Sequence, residues 1–171
     1  MRRLSVLLLI GVFSLFYSCS NDDNSTGGKI EKEWIAFVQK HLIGDWTPKS
    51  IEVKPLVGAP VFSTPYPNQP NCKSDILRFE KNFTGTFNQN SSDCQLKINK
   101  FKWNHRLGEL IFTLENGLEV KAVLLKKSAN NLVFAIPVTE IMPVVEKLYP
   151  QIVNVDPVTL KLLHLKISLE K

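Results

Sequence analysis

The sequence predicts an all-β protein, an up-and-down antiparallel β-barrel of about eight strands with a short N-terminal helix and one helix before the last strand. Segments with alternating apolar residues follow one another from Trp46 onwards, and turn residues separate them at hairpin-length intervals. A meander of this kind leaves strand edges unpaired unless the sheet closes on itself. Closure into a barrel is therefore expected, with a two-sheet β-sandwich as the alternative.

The N-terminal helix is predicted from Lys29 onwards. Apolar residues recur there at the spacing of one helical face, with charged and polar residues between them. These apolar residues are Ile30, Trp34, Phe37, Val38 and Leu42. The helix should end at Gly44, because the apolar period becomes strand-like from Trp46.

The first strand should contain Ile51 and Val53, and a proline-rich loop follows it. Residues 55–70 contain half of the 10 prolines, which cannot pair within a central strand. Alternation then predicts strands over residues 76–80, 83–88, 94–100, 110–114, 118–124 and 132–136. Asn116-Gly117 is the strongest hairpin signal in the chain.

The region before the last strand is predicted to be helical. Ile141, Val144, Val145 and Leu148 have helical spacing, and the helix should start around Pro143. The last apolar segment, residues 158–169, alternates in two phases. A β-bulge near Leu162 would reconcile these phases within one strand.

The N-terminal residues have the three parts of a secretory signal: Arg2 and Arg3, an uncharged apolar stretch over residues 4–17, and the small residue Ser18. The stretch is too short to span a membrane. Residues 15–19, Leu-Phe-Tyr-Ser-Cys, resemble the lipobox of bacterial lipoproteins. This resemblance implies that residues 1–18 are a signal peptide and that Cys19 carries the lipid anchor. An ordinary secreted protein and an uncleaved anchor are the alternatives.

Residues 19–28 are predicted to be a lipidated flexible tether before a domain that spans residues 29–171. The tether is polar after Cys19 and ends in two glycines. Asp22 and Asp23 resemble an export signal of some Gram-negative outer-membrane lipoproteins, although two incidental acids in a spacer explain them equally well. The expected location is the bacterial cell envelope, with the outer membrane favoured and its face undetermined.

The charge balance argues against a nucleic-acid partner. The formal net charge of +5 falls to +3 when Arg2 and Arg3 leave with the signal peptide. The lysines are scattered, and only Arg78 and Arg106 remain as arginines, so no basic patch for phosphate stands out.

Cys72 and Cys94 form a natural pair once Cys19 is assigned to the lipid. A disulfide is expected because the chain is directed to an oxidising compartment. In a barrel meander the two cysteines would enter successive upward strands, which begin at the same end of the barrel, so a bridge between them is geometrically reasonable. A metal site or a free thiol is the weaker alternative, because no histidine lies near either cysteine.

The sequence contains no arrangement that predicts catalysis. His41, His105 and His164 are more than fifty residues apart and have no carboxylate at ligand spacing. No nucleophile motif or phosphate-binding loop occurs. We therefore expect neither an enzyme nor a metal or cofactor site, and an enzyme is only the third function class.

A family resemblance rests on short motifs spread over about residues 40–136. A short helix leading into Gly44-Asp45-Trp46 resembles the lipocalins, whose Gly-x-Trp signature has this place. More closely, the sequence looks like the lipocalin-like domains of Gram-negative lipoproteins. The residues that carry this similarity are Cys72 before residues 77–79, residues 83–87, Cys94, and Trp103 before residues 107–110. No arginine follows Arg106, so the late lipocalin arginine that packs over this tryptophan has no match.

The resemblance implies a barrel interior that is either filled by side chains or open to one small ligand. The candidate ligand-binding residues are Trp46, Phe79, Phe83, Phe87, Trp103, Phe112 and Phe134. Trp46 is expected to be a structural plug at the closed end. A void lined by these aromatic residues would favour binding of a small hydrophobic or amphipathic ligand. A solid core would favour an envelope structural or protein-interaction module, with an unidentified protein partner.

Overall fold

The computed structural model describes residues 26–171, with side chains from Gly28 onwards. The predicted signal peptide, Cys19 and most of the predicted tether lie outside the described residues. The described residues belong to two units, which divide between Lys32 and Glu33. All strands found in residues 26–171 lie in the second unit, Glu33–Lys171.

The N-terminal helix is confirmed. Helix α1 covers Thr26–Phe37, so it begins three residues before Lys29, and a π-helical turn, Val38–Leu42, follows it directly. Four of the five apolar residues of the predicted helical face are buried, namely Trp34, Phe37, Val38 and Leu42, whereas Ile30 is 46% exposed. The helical segment ends before Gly44, whose φ of 119° lies in a region that favours glycine.

Nine strands follow along the chain. They are β1 (Gly44–Pro55), β2 (Phe62–Pro65), β3 (Ile76–Phe79), β4 (Thr84–Asn90), β5 (Leu96–Arg106), β6 (Glu109–Leu114), β7 (Glu119–Lys127), β8 (Asn131–Pro137) and β9 (Leu163–Glu170). Strands β3 to β9 form an antiparallel meander in sequence order.

The meander closes into a barrel because β1 pairs on both of its sides. Its first residues pair with β3, where Trp46 lies opposite Leu77, and residues 47–55 pair with β9 along its whole length. Eight strands, β1 and β3 to β9, thus form a closed antiparallel barrel, as predicted. The sandwich alternative is wrong, since no open edges separate two sheets.

The proline-rich segment does contain one short strand. Strand β2 pairs only with the second half of β1, where Phe62 lies opposite Val53. It is thus an edge addition to the barrel, consistent with the prediction that this segment cannot supply a central strand.

The connection between β8 and β9 contains the predicted helix and a second, unpredicted one. Helix α2 covers Met142–Leu148, between the 3-10 turns Val138–Glu140 and Pro150–Asn154. Helix α3 covers Pro157–Leu162.

The predicted strand over residues 158–162, with its bulge near Leu162, is therefore wrong. Asp156 caps α3 by accepting hydrogen bonds from the backbone N–H groups of Val158 and Thr159, at 3.0 and 2.9 Å. A capping aspartate followed by proline at the first helical position favours a helix start. The two apolar phases arise because helix changes to strand at Leu163.

The buried apolar residues form two clusters. The first, which we call the aromatic cluster, fills the barrel from the α1 side and consists of Trp34, Phe37, Val38, Leu42, Trp46, Phe79, Phe101, Trp103, Leu110, Phe112, Val120, Ala122, Leu132, Phe134, Ile136 and Leu169. The second, the aliphatic cluster, lies between the β8–β9 connection and β1 and β9, and consists of Ile51, Val53, Val138, Val145, Ile152, Leu163 and Leu165. Ile141 and Ile167 pack against both clusters.

Candidate functional site

The barrel has two different ends. At the helix end, β1 begins and the β3–β4, β5–β6 and β7–β8 turns come together. At the opposite end, which we call the open end, lie the β4–β5 and β6–β7 turns and the β8–β9 connection. The two ends offer different chemistry.

The helix end is closed by aromatic side chains. The indole Nε1 of Trp34 donates a hydrogen bond to Nδ1 of His105 at 3.0 Å, and its ring stacks on Phe37 with 6.0 Å between centroids. The ammonium group of Lys127 lies 5.2 Å from the centre of the Trp34 ring. Burial lowers the pKa of His105 below its ordinary value, which favours the neutral imidazole that accepts this bond.

Trp46 is buried at this end as the expected plug. Its Nε1 donates a hydrogen bond to the backbone oxygen of Leu42 at 2.7 Å. The ammonium group of Lys171 lies 5.0 Å from the centre of the Trp46 ring and donates to the backbone oxygen of Ile43 at 3.1 Å. Lys171 thus covers Trp46, the tryptophan of the first strand. The sequence has no match for the late lipocalin arginine that packs over this tryptophan.

Four of the candidate ligand-binding residues pack against other aromatic side chains inside the barrel. Phe79 contacts Trp103, with 5.5 Å between ring centroids, and Phe112 contacts Phe134 at 5.9 Å. Phe101, which sequence reasoning did not include among the candidates, lies 5.5 Å from Phe112 and 5.9 Å from Phe79. These rings form a packed aromatic core.

The two remaining candidates lie elsewhere. Phe83 is in the β3–β4 turn with a positive φ of 62°, is 48% exposed, and contacts Trp103 with 5.0 Å between ring centroids. Phe87 lies on β4 opposite Leu77 and Asn99 and is only partly buried. Among the seven candidates, Phe87 is the residue that faces the interior near the open end.

Apolar side chains at the open end face the interior but remain accessible. Leu114 lies opposite the buried Phe101 and is 38% exposed. Across the β6–β7 turn, Leu118 is 47% exposed, and its backbone oxygen accepts a hydrogen bond from the Leu114 N–H at 2.9 Å. We call Phe87, Leu114 and Leu118 the rim, because they are apolar side chains in the interior phase of their strands on the side of the open end. Sequence reasoning missed both leucines, although each was in a predicted strand.

A small polar network adjoins the rim. The side-chain amide of Asn99 donates to Oε1 of Gln89 at 3.0 Å and to the backbone oxygen of Phe87 at 3.3 Å. A largely apolar surface with a few polar groups is the usual composition of a small-molecule site. The rim can therefore contact an apolar ligand that carries a polar group.

A buried carboxylate holds the loop before β3. Asp75 accepts a hydrogen bond from the Tyr66 hydroxyl at 2.8 Å and another from the Asn90 N–H at 2.9 Å. Burial, together with the nearby Asp75 carboxylate, raises the pKa of Tyr66 far above its ordinary value. Because both carboxylate oxygens accept hydrogen bonds, we assign Asp75 an anchoring role.

Within the part of the chain that the structure describes, no three potential metal ligands come together. No helix in residues 26–171 has both the length and the apolar character needed to cross a bilayer. The disulfide between Cys72 and Cys94 is present, as predicted, with 5.3 Å between the Cα atoms.

Comparison with protein-family models, curated proteins and solved structures finds no match for this chain. The class of protein is therefore defined by architecture. The chain is an all-β protein with a closed eight-stranded antiparallel barrel, compatible with the lipocalin-like fold.

Proposed function

We propose that this chain is a lipid-anchored lipoprotein of the bacterial cell envelope that binds one small hydrophobic or amphipathic molecule at the rim of a lipocalin-like barrel. The observation that carries the binding proposal is the rim itself. Leu114 and Leu118 face the interior yet stay accessible, and Phe87 lies on the same side of the packed aromatic core. A ligand would therefore lie at the mouth of the barrel.

The anchor is supported by the sequence before the barrel. The basic start, the short apolar stretch and the lipobox-like residues 15–19 together favour acylation of Cys19 and an envelope location. Metabolic labelling with palmitate should tag the wild-type chain and leave the Cys19→Ala variant unlabelled. Equal labelling of both chains would contradict the anchor.

A second function is favoured by the packing of the aromatic cluster. Ring centroids 5.5 to 6.0 Å apart among Phe79, Phe101, Trp103 and Phe112 describe a filled interior. Such a barrel would serve as an envelope structural or protein-interaction module without a small ligand.

A binding experiment with the fluorescent fatty acid cis-parinaric acid distinguishes the two proposed functions. The Cys19→Ala chain is used, so that the lipid anchor makes no contribution. Saturable binding is expected, and Leu118→Gln should weaken it roughly tenfold, since the substitution replaces an apolar contact by a polar one.

Leu125→Gln is the matched control, because Leu125 lies on β7, the strand that directly follows Leu118, is similarly exposed, and is near the helix end. It should leave the affinity unchanged. Absence of saturable binding, or equal weakening by both substitutions, would favour the interaction module.

A further inference from the structure

A run of exposed apolar residues follows β1 where that strand ends, at the open end of the barrel. Residues 55–62, Pro-Leu-Val-Gly-Ala-Pro-Val-Phe, contain no polar side chain, and residues 56–61 are all exposed. Leu56 is 48%, Val57 90% and Val61 50% exposed. Several exposed apolar residues in succession mark an interaction site in a native protein. We call residues 56–61 the apolar loop, and the proposed ligand site at the rim does not include it.

The apolar loop projects from a fixed base. The Val61 N–H donates a hydrogen bond to the backbone oxygen of Val53 at 2.8 Å. The ring of Phe62 stacks on Tyr149 with 5.1 Å between centroids. Near the tip, a Cβ atom added to Gly58 would meet no atom of the described residues within 4 Å, its chain neighbours apart. The base of the loop is therefore held in place, while its tip points away from the described part of the barrel.

Helix α3 adds two further apolar side chains beside the loop. Pro55, the last residue of β1, pairs with Leu163, the first residue of β9, so the loop leaves the sheet next to the end of α3. Val158 and Leu162 lie one turn apart on one face of this helix and are 74% and 61% exposed. We call these two residues and the apolar loop together the apolar face.

The charges beside the apolar face are predominantly positive. Lys54 lies at the start of the loop, and the exposed Lys161 lies at the end of α3. On the same half of β1, Glu52 forms an ion pair with Lys166 at 3.0 Å. Asp156 accepts the two capping hydrogen bonds of α3. The two lysines therefore complement an anionic surface, such as one formed by lipid headgroups.

The composition of the apolar face favours a lipid surface over a protein partner. Binding hot spots between proteins are enriched in tryptophan, tyrosine and arginine, whereas leucine and valine are under-represented there. The apolar face consists of leucine, valine, alanine, proline and glycine. Aliphatic area next to lysines suits the bilayer interface, where apolar burial and attraction to anionic lipids act together.

We propose that the apolar face docks on the surface of an anionic lipid bilayer. Leu56 and Val57 enter the boundary between headgroups and acyl chains, and Lys54 and Lys161 face the headgroups. The docking is shallow, because the peptide groups of a loop find no hydrogen-bond partners in the hydrocarbon region. This contact is additional to the proposed lipid anchor at Cys19 and does not depend on it.

The test places a tryptophan in the apolar loop of the full-length chain. The chain is reconstituted into vesicles of equal parts phosphatidylcholine and phosphatidylglycerol, and flotation isolates the membrane-attached chain. Some of the lipid carries a nitroxide near the start of its acyl chain, which quenches tryptophan at that depth. The emission that Val57→Trp adds to the wild-type signal should be quenched. The wild-type signal itself should change little, because its three tryptophans are buried in the aromatic cluster.

Ile98→Trp is the matched control for this measurement. Ile98 is a 51% exposed aliphatic residue on β5 and lies outside the apolar face. The emission that this substitution adds should not be quenched. Flotation selects the attached chain whatever attaches it, so failure of acylation at Cys19 or of ligand binding at the rim leaves this result interpretable.

Lysine variants of the Val57→Trp chain then test the attraction to anionic headgroups. Combining Lys54→Gln with Lys161→Gln should reduce quenching, because each lysine changes the ratio of inserted to free loop roughly fivefold. Lys100→Gln with Lys102→Gln is the control, since both lysines are exposed on β5 and lie outside the apolar face. This pair of substitutions should leave the quenching unchanged.

The proposal is overturned if Val57→Trp is quenched no more than Ile98→Trp, or if the two pairs of lysine substitutions give equal quenching. An emission of Val57→Trp that shifts to shorter wavelength without quenching also overturns it, since a protein surface, such as a second copy, would then cover the apolar face. Should Val57→Trp fail to fold, Leu56→Trp in the same loop provides the same readout.

Discussion

At the scale of single residues, the hydrogen bond from Trp34 to His105 requires a neutral imidazole, because Nδ1 must accept. Burial lowers the pKa of His105 below the ordinary value of 6.5. The unfolded chain therefore binds this proton more readily than the folded chain does. The resulting contribution to stability is complete above pH 6.5 and is lost as the pH falls from there through the lower folded pKa.

We expect the free energy of unfolding to decrease between pH 8 and pH 5, and His105→Gln to reduce that decrease. Urea unfolding at a series of pH values measures it. His164→Gln is the control, since His164 is on β9 and contacts the backbone oxygen of Leu162. If the free energy of unfolding of His105→Gln kept the same pH dependence, the hydrogen bond from the Trp34 indole to His105 would not be its cause.

The buried Asp75 supports a second residue-scale prediction. Tyr66→Phe removes the donor to Oδ2 and leaves that oxygen buried without its partner. The substitution should cost about 1–3 kcal/mol of unfolding free energy. Thr64→Val on β2 is a control, because no side-chain hydrogen bond of Thr64 contributes to this network. Equal unfolding midpoints of wild type and Tyr66→Phe in urea would contradict the anchoring role of Asp75.

The roles of individual residues were the feature that the sequence predicted least well. Lys171 covers Trp46, and the Tyr66 hydroxyl donates a hydrogen bond to Asp75, but neither pairing has a periodic signal in the sequence. These contacts join positions that only the closed sheet brings together. Even the candidate Phe83 was assigned a strand position, while its backbone lies in a turn with positive φ.

At the scale of elements, the alternation of apolar residues predicted where the strands lie better than it predicted which residues of each strand face the interior. The alternation of Leu96 and Ile98 predicted a strand correctly, but both residues point outwards, since Phe101 and Trp103 occupy the opposite phase. The unbroken β4–β5 register allows only one phase inside. Helix α3 was missed because its short apolar pattern continues into β9.

The disulfide ties elements together, and its removal is the element-scale prediction. Cys72 and Cys94 are separated by 22 residues. A loop of this size predicts a loss of about 3 kcal/mol when both are replaced by serine. Urea unfolding of the double variant, compared with the oxidised wild type, measures the loss. An unchanged midpoint would mean that Asp75 and its hydrogen bonds already fix the loop.

At the scale of the whole molecule, closure was predictable because many short strands with hairpin connections leave few other ways to cover two edges. The β1–β9 pairing achieves it. The division of the core into two clusters was not predictable. It depends on the β8–β9 connection packing against β1 and β9, a contact between distant parts of the sequence.

The two clusters should nevertheless unfold together, since Ile141 and Ile167 pack against both. Trp34, Trp46 and Trp103 all belong to the aromatic cluster, so tryptophan fluorescence reports that cluster alone. Ile152→Ala removes buried volume from the aliphatic cluster and should cost about 2–5 kcal/mol.

Cooperative unfolding requires the fluorescence midpoint in urea to fall by the same amount as the midpoint from far-UV circular dichroism. Val153→Ala, a truncation at an exposed neighbouring position, should move neither midpoint appreciably. If Ile152→Ala lowered the circular dichroism midpoint alone, the aliphatic cluster would be an independent unit. The β8–β9 connection could then open while the aromatic cluster stayed folded, and the rim beside it would be mobile in the folded barrel.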